Sequence, residues 1–221
     1  MTTKPTPKAS RKRKASETDI LINVVLDRSG SMASIKEATI EGFNGFLAEQ
    51  AKLPGARFSL TQFDTEGIDH LYINSPVEKV KPLNGETYVP RGGTPLYDAV
   101  GRSIAEVESA SPAGKVVFVI ITDGEENSSR EFSRDDVFNR IAEKRKAGWE
   151  FVFMGANVDA YATGAAMGIA AASSYQYGAD AAGVSGAFAA VSHSTTMYRS
   201  GAAPSMVMPP RPGRKKRLDK N

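Results

Sequence analysis

The segment that most constrains the fold is Lys115–Thr122 (KVVFVIIT), the most hydrophobic stretch of the chain. An uninterrupted run of mostly β-branched residues is typical of a strand buried on both faces, as in a parallel sheet covered by helices. Leu21–Leu26 is a second apolar run of strand type. Each run is followed at once by an aspartate, Asp123 or Asp27. We therefore expect a central sheet with helices on both of its faces.

Strand-like and helix-like segments alternate along the rest of the chain. Apolar residues at helical spacing predict helices at Ile35–Leu53, Leu96–Ser109, Ser133–Ala147, Val158–Gly168 and Ala179–Met197. Extended segments are predicted at Arg57–Asp64, Ile68–Ile73, Val77–Val80 and Glu150–Met154, and Ala171–Tyr175 is a short apolar piece. We expect Arg57–Asp64 to be an antiparallel edge strand or the neighbour of the first strand. This order predicts an α/β fold with a doubly wound, Rossmann-like, mostly parallel sheet and one antiparallel edge strand.

The charge distribution divides the chain into a body and two basic arms. Of the 28 Lys and Arg residues, six precede Glu17 and six follow Pro210, and the body between them is acidic. With 221 residues, 41% of them hydrophobic and 24% charged, the chain is expected to form one globular domain over residues 19–200. Residues 1–18 and 201–221 are predicted to be disordered.

The basic arms suggest electrostatic attachment to nucleic acid. The candidate residues are Arg11, Lys12, Arg13, Lys14, Arg214, Lys215, Lys216 and Arg217. The alternative is that the arms are solvated tails that only keep the protein soluble.

Several function classes are disfavoured by what the sequence lacks. The chain has no cysteine, which excludes disulfides, thiolate nucleophiles and cysteine-ligated zinc or iron–sulfur centres. No apolar run approaches the roughly 18 residues that a membrane span needs, and Met1–Ser16 is too polar for a secretory signal. We therefore expect a cytoplasmic protein, or a nuclear one if the source is eukaryotic, that does not associate with membranes.

Oxygen-bearing side chains follow the predicted strands or precede a predicted helix in three places. Asp27, Ser29 and Ser31 are spaced at i, i+2 and i+4 after the first strand. Thr94 lies in a Gly-Gly-Thr-Pro loop before a helix, and Asp123 follows the most hydrophobic strand. Ligands of doubly wound sheets bind at the carboxyl ends of the strands. Hydroxyl and carboxylate oxygens suit Mg²⁺, Mn²⁺ or Ca²⁺ rather than zinc.

This D-x-S-x-S…T…D pattern resembles the metal-ion-dependent adhesion site (MIDAS) of the von Willebrand factor A (vWA) domain family, with every motif position present. The Gly-Gly-Thr-Pro and Thr-Asp-Gly settings are similar to those of the family's bacterial and phage-like branch. The resemblance implies that Ser29, Ser31 and Thr94 offer hydroxyls to the metal, while Asp27 and Asp123 act mostly through bound water. It also implies that a Glu or Asp of a partner protein completes the octahedron that Mg²⁺ favours, which is binding and not catalysis.

Two other functions stay open at this point. The protein could be associated with nucleic acid, with the arms holding RNA or DNA and the vWA-like domain docking a partner. A metal-dependent hydrolase is the third reading, since bound Mg²⁺ can activate water. We expect no enzyme, because His70 and His193 lie in no catalytic motif and no G-x-S-x-G elbow or P-loop is present. Glu125 and Glu126 are predicted to be solvated, although they could also repel a carboxylate or occupy the metal position.

Overall fold

A computed structural model of the chain describes residues 20–110 and 114–210. The strands are β1 (Ile20–Asp27), β2 (Ala56–Asp64), β3 (Gly67–Pro76), β4 (Lys115–Thr122), β5 (Glu150–Ala156) and β6 (Ser174–Tyr177). The α-helices are α1 (Lys36–Ala51), α2 (Leu96–Ala110), α3 (Arg134–Lys146), α4 (Ala160–Ala166) and α5 (Ala181–Arg199). Short 3₁₀ turns occupy Gly30–Ile35, Val77–Lys79 and Ala171–Ser173.

The six strands form one sheet in the order β3-β2-β1-β4-β5-β6. All neighbouring strands are parallel except β2 and β3, which form an antiparallel hairpin. This arrangement confirms the predicted α/β, Rossmann-like fold with one antiparallel edge strand.

Of the two expectations for Arg57–Asp64, the neighbour of the first strand is confirmed. This segment belongs to β2, which is parallel to β1 and lies inside the sheet, so that β3 is the antiparallel edge. A tight turn joins β2 to β3, in which the Asp64 carboxylate accepts hydrogen bonds from the backbone N–H groups of Glu66 and Gly67. Val77–Lys79, expected to be extended, is a 3₁₀ turn.

The core has two halves, one on each face of the sheet. Alternate residues of β4 point to opposite halves: Val117, Val119 and Ile121 pack on the α1–α5 side, whereas Val116, Phe118 and Ile120 pack on the α2–α3 side. The uninterrupted apolar run of this strand is therefore explained by burial on both faces. Within the described residues, no helix is long and apolar enough to cross a membrane.

Residues 201–210 lie against the domain, whereas the sequence predicts that they belong to a disordered tail. Met206 and Met208 are buried, and the backbone N–H of Met208 donates to the carbonyl of Ala172 at 2.8 Å. The hydroxyl of Ser194 on α5 donates to the carbonyl of Val207 at 2.7 Å. The side chains of Met206 and Met208 therefore hold this segment against the domain, although the segment also contains Pro, Gly and Ser.

The basic residues proposed for nucleic-acid binding lie outside the described residues. They are Arg11, Lys12, Arg13, Lys14, Arg214, Lys215, Lys216 and Arg217.

Candidate metal site

The three loops that carry the predicted metal ligands meet at one edge of the sheet. β1 and β4 are parallel neighbours, with Leu26 opposite Ile121, so the residues that follow both strands emerge together. The loop before α2 joins them through backbone hydrogen bonds: the Gly30 N–H donates to the Gly92 carbonyl at 3.0 Å, and the Arg91 N–H donates to the Arg28 carbonyl at 2.9 Å. The convergence follows from parallel pairing of two strands that are far apart in the sequence.

The structure brings the five predicted ligands, Asp27, Ser29, Ser31, Thr94 and Asp123, into one cluster, called here the five site residues. The Ser29 and Ser31 hydroxyls are 3.2 Å apart. The Ser31 hydroxyl also donates to Asp123 Oδ1 at 2.6 Å, and the Ser29 N–H donates to Asp27 Oδ1 at 2.6 Å. Their role as metal ligands stays a prediction.

Thr94 joins this cluster next to Gly124. A Cβ atom placed on Gly124 would lie 3.5 Å from Thr94 Oγ1 and 3.6 Å from Ser31 Oγ. The two hydroxyls therefore flank the same small space, which glycine leaves open. Four of the five site residues are buried, and Ser31 is exposed. The cluster is thus open to solvent on the Ser31 side.

A divalent cation fits the chemistry of this cluster. Asp123 Oδ2 is buried and has no hydrogen-bond partner within the described part of the chain. A buried carboxylate oxygen without a partner is costly, and a cation or a water bound to it would satisfy that oxygen. The described residues contain no group of three or more acidic or imidazole side chains that could cage a metal. Neutral hydroxyls would therefore supply most of the direct ligands.

Burial also affects the two aspartates of the cluster. Desolvation raises the pKa of Asp27 to about 6, although hydrogen bonds from Thr122 and Ser29 act in the opposite direction. Desolvation likewise raises the pKa of Asp123, opposed by its hydrogen bond from Ser31. A nearby positive charge favours ionised carboxylates and would act against the cost of burying them.

Three buried residues that the sequence analysis did not select hold Asp27 and the β4 end in place. The Thr122 hydroxyl donates to Asp27 Oδ2 at 2.6 Å. The Tyr88 hydroxyl donates to the Asp27 carbonyl at 2.6 Å, and the Tyr177 hydroxyl donates to the Thr122 carbonyl at 3.1 Å. Burial raises the pKa of both tyrosines. The Thr-Asp-Gly motif of the sequence includes Thr122, whereas no local motif indicates a role for Tyr88 or Tyr177.

An ion-pair network braces the same loops from the β2–β3 side. Arg28 Nε donates to Asp64 Oδ2 at 2.7 Å, and Arg28 Nη2 donates to Asp69 Oδ2 at 2.8 Å. Arg91 Nε donates to the same Asp64 oxygen at 3.0 Å. Burial alone would raise the pKa of Asp64, but its hydrogen bonds from Arg28, the Glu66 N–H and Arg91 outweigh burial and lower it. Asp64 therefore ties the loops before Ser29 and Thr94 to the β2–β3 hairpin.

Glu126 is a structural residue of the loop after β4. Its Oε1 atom accepts hydrogen bonds from the N–H groups of Ser128 and Ser129 at 2.8 and 2.7 Å. Its Oε2 atom accepts from the Tyr97 N–H at 3.0 Å, at the start of α2, and from the Ser129 hydroxyl. The prediction that both glutamates are solvated is therefore confirmed for Glu125, which is exposed. It is wrong for Glu126, whose carboxylate accepts hydrogen bonds from three backbone N–H groups and one hydroxyl.

The different roles of these two glutamates lead to a matched prediction. We expect Glu126→Ala to lower the free energy of unfolding by about 2 kcal/mol, because it removes hydrogen bonds to a charged acceptor. The exposed Glu125→Ala should change it by about 0.5 kcal/mol or less. Urea unfolding of the two variants measures the difference. Equal effects would contradict the structural role of Glu126.

No protein-family model matches this chain, and no curated protein is significantly similar to it.

Solved structures with a similar fold include von Willebrand factor A domains, at low sequence identity. The vWF domain of the type V pili tip protein Mfa5 from Porphyromonas gingivalis is similar at a TM-score of 0.64 and 10% identity, over 81% of this chain and 95% of that domain. Proximal thread matrix protein 1 from the mussel byssus, with zinc in its MIDAS motif, gives 0.56 and 15%, over 83% of this chain and 46% of that one. The PilB minor pilin from Streptococcus sanguinis gives 0.61 and 13%, over 86% and 63%.

This chain thus spans less than half of the byssus protein and less than two thirds of the minor pilin, but nearly the whole vWF domain of Mfa5. The described domain therefore has the fold of von Willebrand factor A domains.

Proposed function

We propose that this protein is a divalent-metal-dependent protein-binding module. The hydroxyls of Ser29, Ser31 and Thr94, together with Asp27 and Asp123, would hold Mg²⁺, or Mn²⁺ or Ca²⁺ in its place. The bound ion would supply a positive charge that accepts a Glu or Asp carboxylate from a partner protein. The observation that carries the proposal is the partnerless buried oxygen of Asp123 beside a group of neutral hydroxyls.

The donor types favour binding over catalysis. Neutral hydroxyl ligands leave most of the charge on a bound ion, so that it can attract an external carboxylate. A hydrolase would also need a general base beside the ion. Both oxygens of Asp27 already accept hydrogen bonds, from Ser29 and Thr122, and both oxygens of Glu126 accept them from its own loop and α2. The proposal assigns the remaining carboxylate, that of Asp123, to the metal and not to proton transfer, and on this assignment we propose that the protein is not an enzyme.

The printed roles of the structural neighbours support a protein partner. One is a pilus tip protein, one a minor pilin and one a thread matrix protein. The zinc in the MIDAS motif of the thread protein supports metal binding by this fold.

We propose no membrane association and a cytoplasmic location.

Metal titration tests the proposal directly. Calorimetric titration of Mg²⁺ and Mn²⁺ into the full chain should show saturable binding of one ion, and Asp27→Ala should lose it. A synthetic peptide rich in glutamate should then bind in Mg²⁺ and be released by EDTA, whereas its glutamine counterpart should not bind. Absence of saturable binding of both metals by the wild-type chain would contradict the proposal.

The basic segments support a second role, in which they attach the protein to nucleic acid while the domain holds its partner. Charge-driven attachment weakens steeply with salt. An oligonucleotide shift that is lost on raising the salt, and lost when residues 1–18 and 211–221 are removed, would support this role. A shift that survives the trimming would contradict it.

A further inference from the structure

The buried hydroxyl of Thr122 links two of the three loops of the candidate metal site. Thr122 is the last residue of β4 and is completely buried. Its hydroxyl donates to Asp27 Oδ2 at 2.6 Å, across to the end of β1. The same oxygen accepts a hydrogen bond from the Gly124 N–H at 3.1 Å, immediately after Asp123. One atom therefore contacts the loop that carries Asp27 and the loop that carries Asp123.

The orientation of the Asp27 carboxylate depends on this contact. Its Oδ1 atom is held by the N–H of Ser29, a local contact within one loop. Its Oδ2 atom is held by Thr122, which belongs to a different strand. Removing the second contact would leave the carboxylate attached to its own loop alone. The position of Asp27 relative to Asp123 would then depend on the pairing of β1 with β4.

Thr122 is itself fixed from the other side. Its carbonyl accepts the hydrogen bond of the Tyr177 hydroxyl at 3.1 Å, and Tyr177 is the buried last residue of β6. The Asp27 carbonyl accepts a hydrogen bond from the buried Tyr88. Neither tyrosine contacts a side-chain oxygen of Asp27 through these bonds. The Thr122 hydroxyl is thus the contact that orients the Asp27 carboxylate from another strand, beside the Ser29 N–H of its own loop.

We infer that Thr122 is a positioning residue of the metal site, whose hydroxyl sets the geometry of Asp27 relative to Asp123 without binding the metal itself. This inference rests on the proposed function, because it concerns the affinity of the same site. Groups that orient metal ligands by hydrogen bonds typically change metal affinity about 10–100-fold when they are removed. Thr122 is expected to act in this range.

The test compares variants that keep or lose the hydroxyl. Thr122→Val preserves the branched shape and removes the oxygen, so the Kd for Mg²⁺ and Mn²⁺ should rise about 10–100-fold. Thr122→Ser keeps the oxygen and should stay near the wild-type Kd. Thr122→Ala gives a second hydroxyl-free variant, and thermal melting without metal establishes that each variant is folded. The readout is calorimetric titration of both metals into the full chain.

Thr61→Val is a matched control for a merely structural loss. Thr61 is also a buried strand threonine, but its hydroxyl contacts His70 at 2.9 Å and Ser103 at 3.2 Å. This variant should lower the melting temperature and leave the metal Kd unchanged. Metal binding by Thr122→Val that equals the wild type, or binding by Thr122→Ser as weak as that of Thr122→Val, would overturn the inference and leave the proposed function standing. Failure of the wild-type chain to bind either metal would overturn both.

Discussion

Replacing Asp123 with alanine is expected to abolish measurable Mg²⁺ and Mn²⁺ binding while the domain stays folded. The variant removes the buried oxygen that has no partner in the described chain and the acceptor of the Ser31 hydroxyl. In the metal-free protein that oxygen is a cost, because burial raises the pKa of Asp123 and disfavours its charged form. The metal-free melting temperature should therefore stay the same or rise, although the metal site is lost.

Calorimetric titration and thermal melting of the metal-free protein together check this expectation. Glu125→Ala is the matched control, because it removes an exposed acid two residues away and should leave metal binding intact. The paired variant Ser29→Ala/Ser31→Ala should also lose the metal without unfolding. Retained binding by Asp123→Ala would argue against the site, and unfolding of the metal-free variant would show that these loops are needed for the fold.

The largest stability effect is expected at Arg28, the residue between Asp27 and Ser29. Its guanidinium pairs with Asp64, whose side chain is fully buried, at 2.7 Å. Breaking a buried ion pair by removing one partner typically costs 3–5 kcal/mol. Asp64 would keep its hydrogen bonds from Arg91 and from the Glu66 and Gly67 N–H groups. We therefore expect Arg28→Ala to lower the free energy of unfolding by about 3 kcal/mol, the lower end of that range. Urea unfolding at neutral pH measures it.

Arg91→Ala is the control, because Arg91 bonds to the same Asp64 oxygen from a side chain that is 42% exposed. Exposed ion pairs typically contribute about 1 kcal/mol or less. The effect of Arg91→Ala should therefore be much smaller. Equal losses of unfolding free energy in the two variants would contradict the expectation that the buried pair of Arg28 contributes more than the exposed pair of Arg91.

The pH dependence of the Arg28 effect follows from the lowered pKa of Asp64. A carboxylate with a lowered folded-state pKa stabilises the protein above its unfolded pKa, near 3.8, and this stabilisation is lost as the pH falls through the folded-state value. The difference in unfolding free energy between wild type and Arg28→Ala should thus be full at pH 7 and shrink as the pH falls below 3.8. A difference that grows on acidification would contradict the pairing with Asp64.

The local sequence was sufficient to predict the main helices and strands and the hydroxyl and carboxylate groups of the candidate site. Lys115–Thr122 is a strand with the predicted limits, because burial on both faces requires apolar residues at every position. Ser133 caps α3 together with Asp136, an arrangement of residues three apart that is local to the sequence. The five site residues come together because they lie at the ends of the parallel neighbours β1 and β4, in the loops that follow them, or just before α2.

Contacts between distant residues depended on the tertiary structure. Tyr88 and Tyr177 reach the site from positions that no motif marks. The pairing of β2 with β1 decided that β2 lies inside the sheet. Met206 and Met208 are buried against the folded domain, which the sequence around them does not indicate. The roles of Glu125 and Glu126 could not be separated by sequence, since only the fold brings Tyr97 to the Glu126 carboxylate. Periodicity and turn chemistry are local properties that a sequence carries by itself, whereas packing across the sheet exists only once the chain has folded.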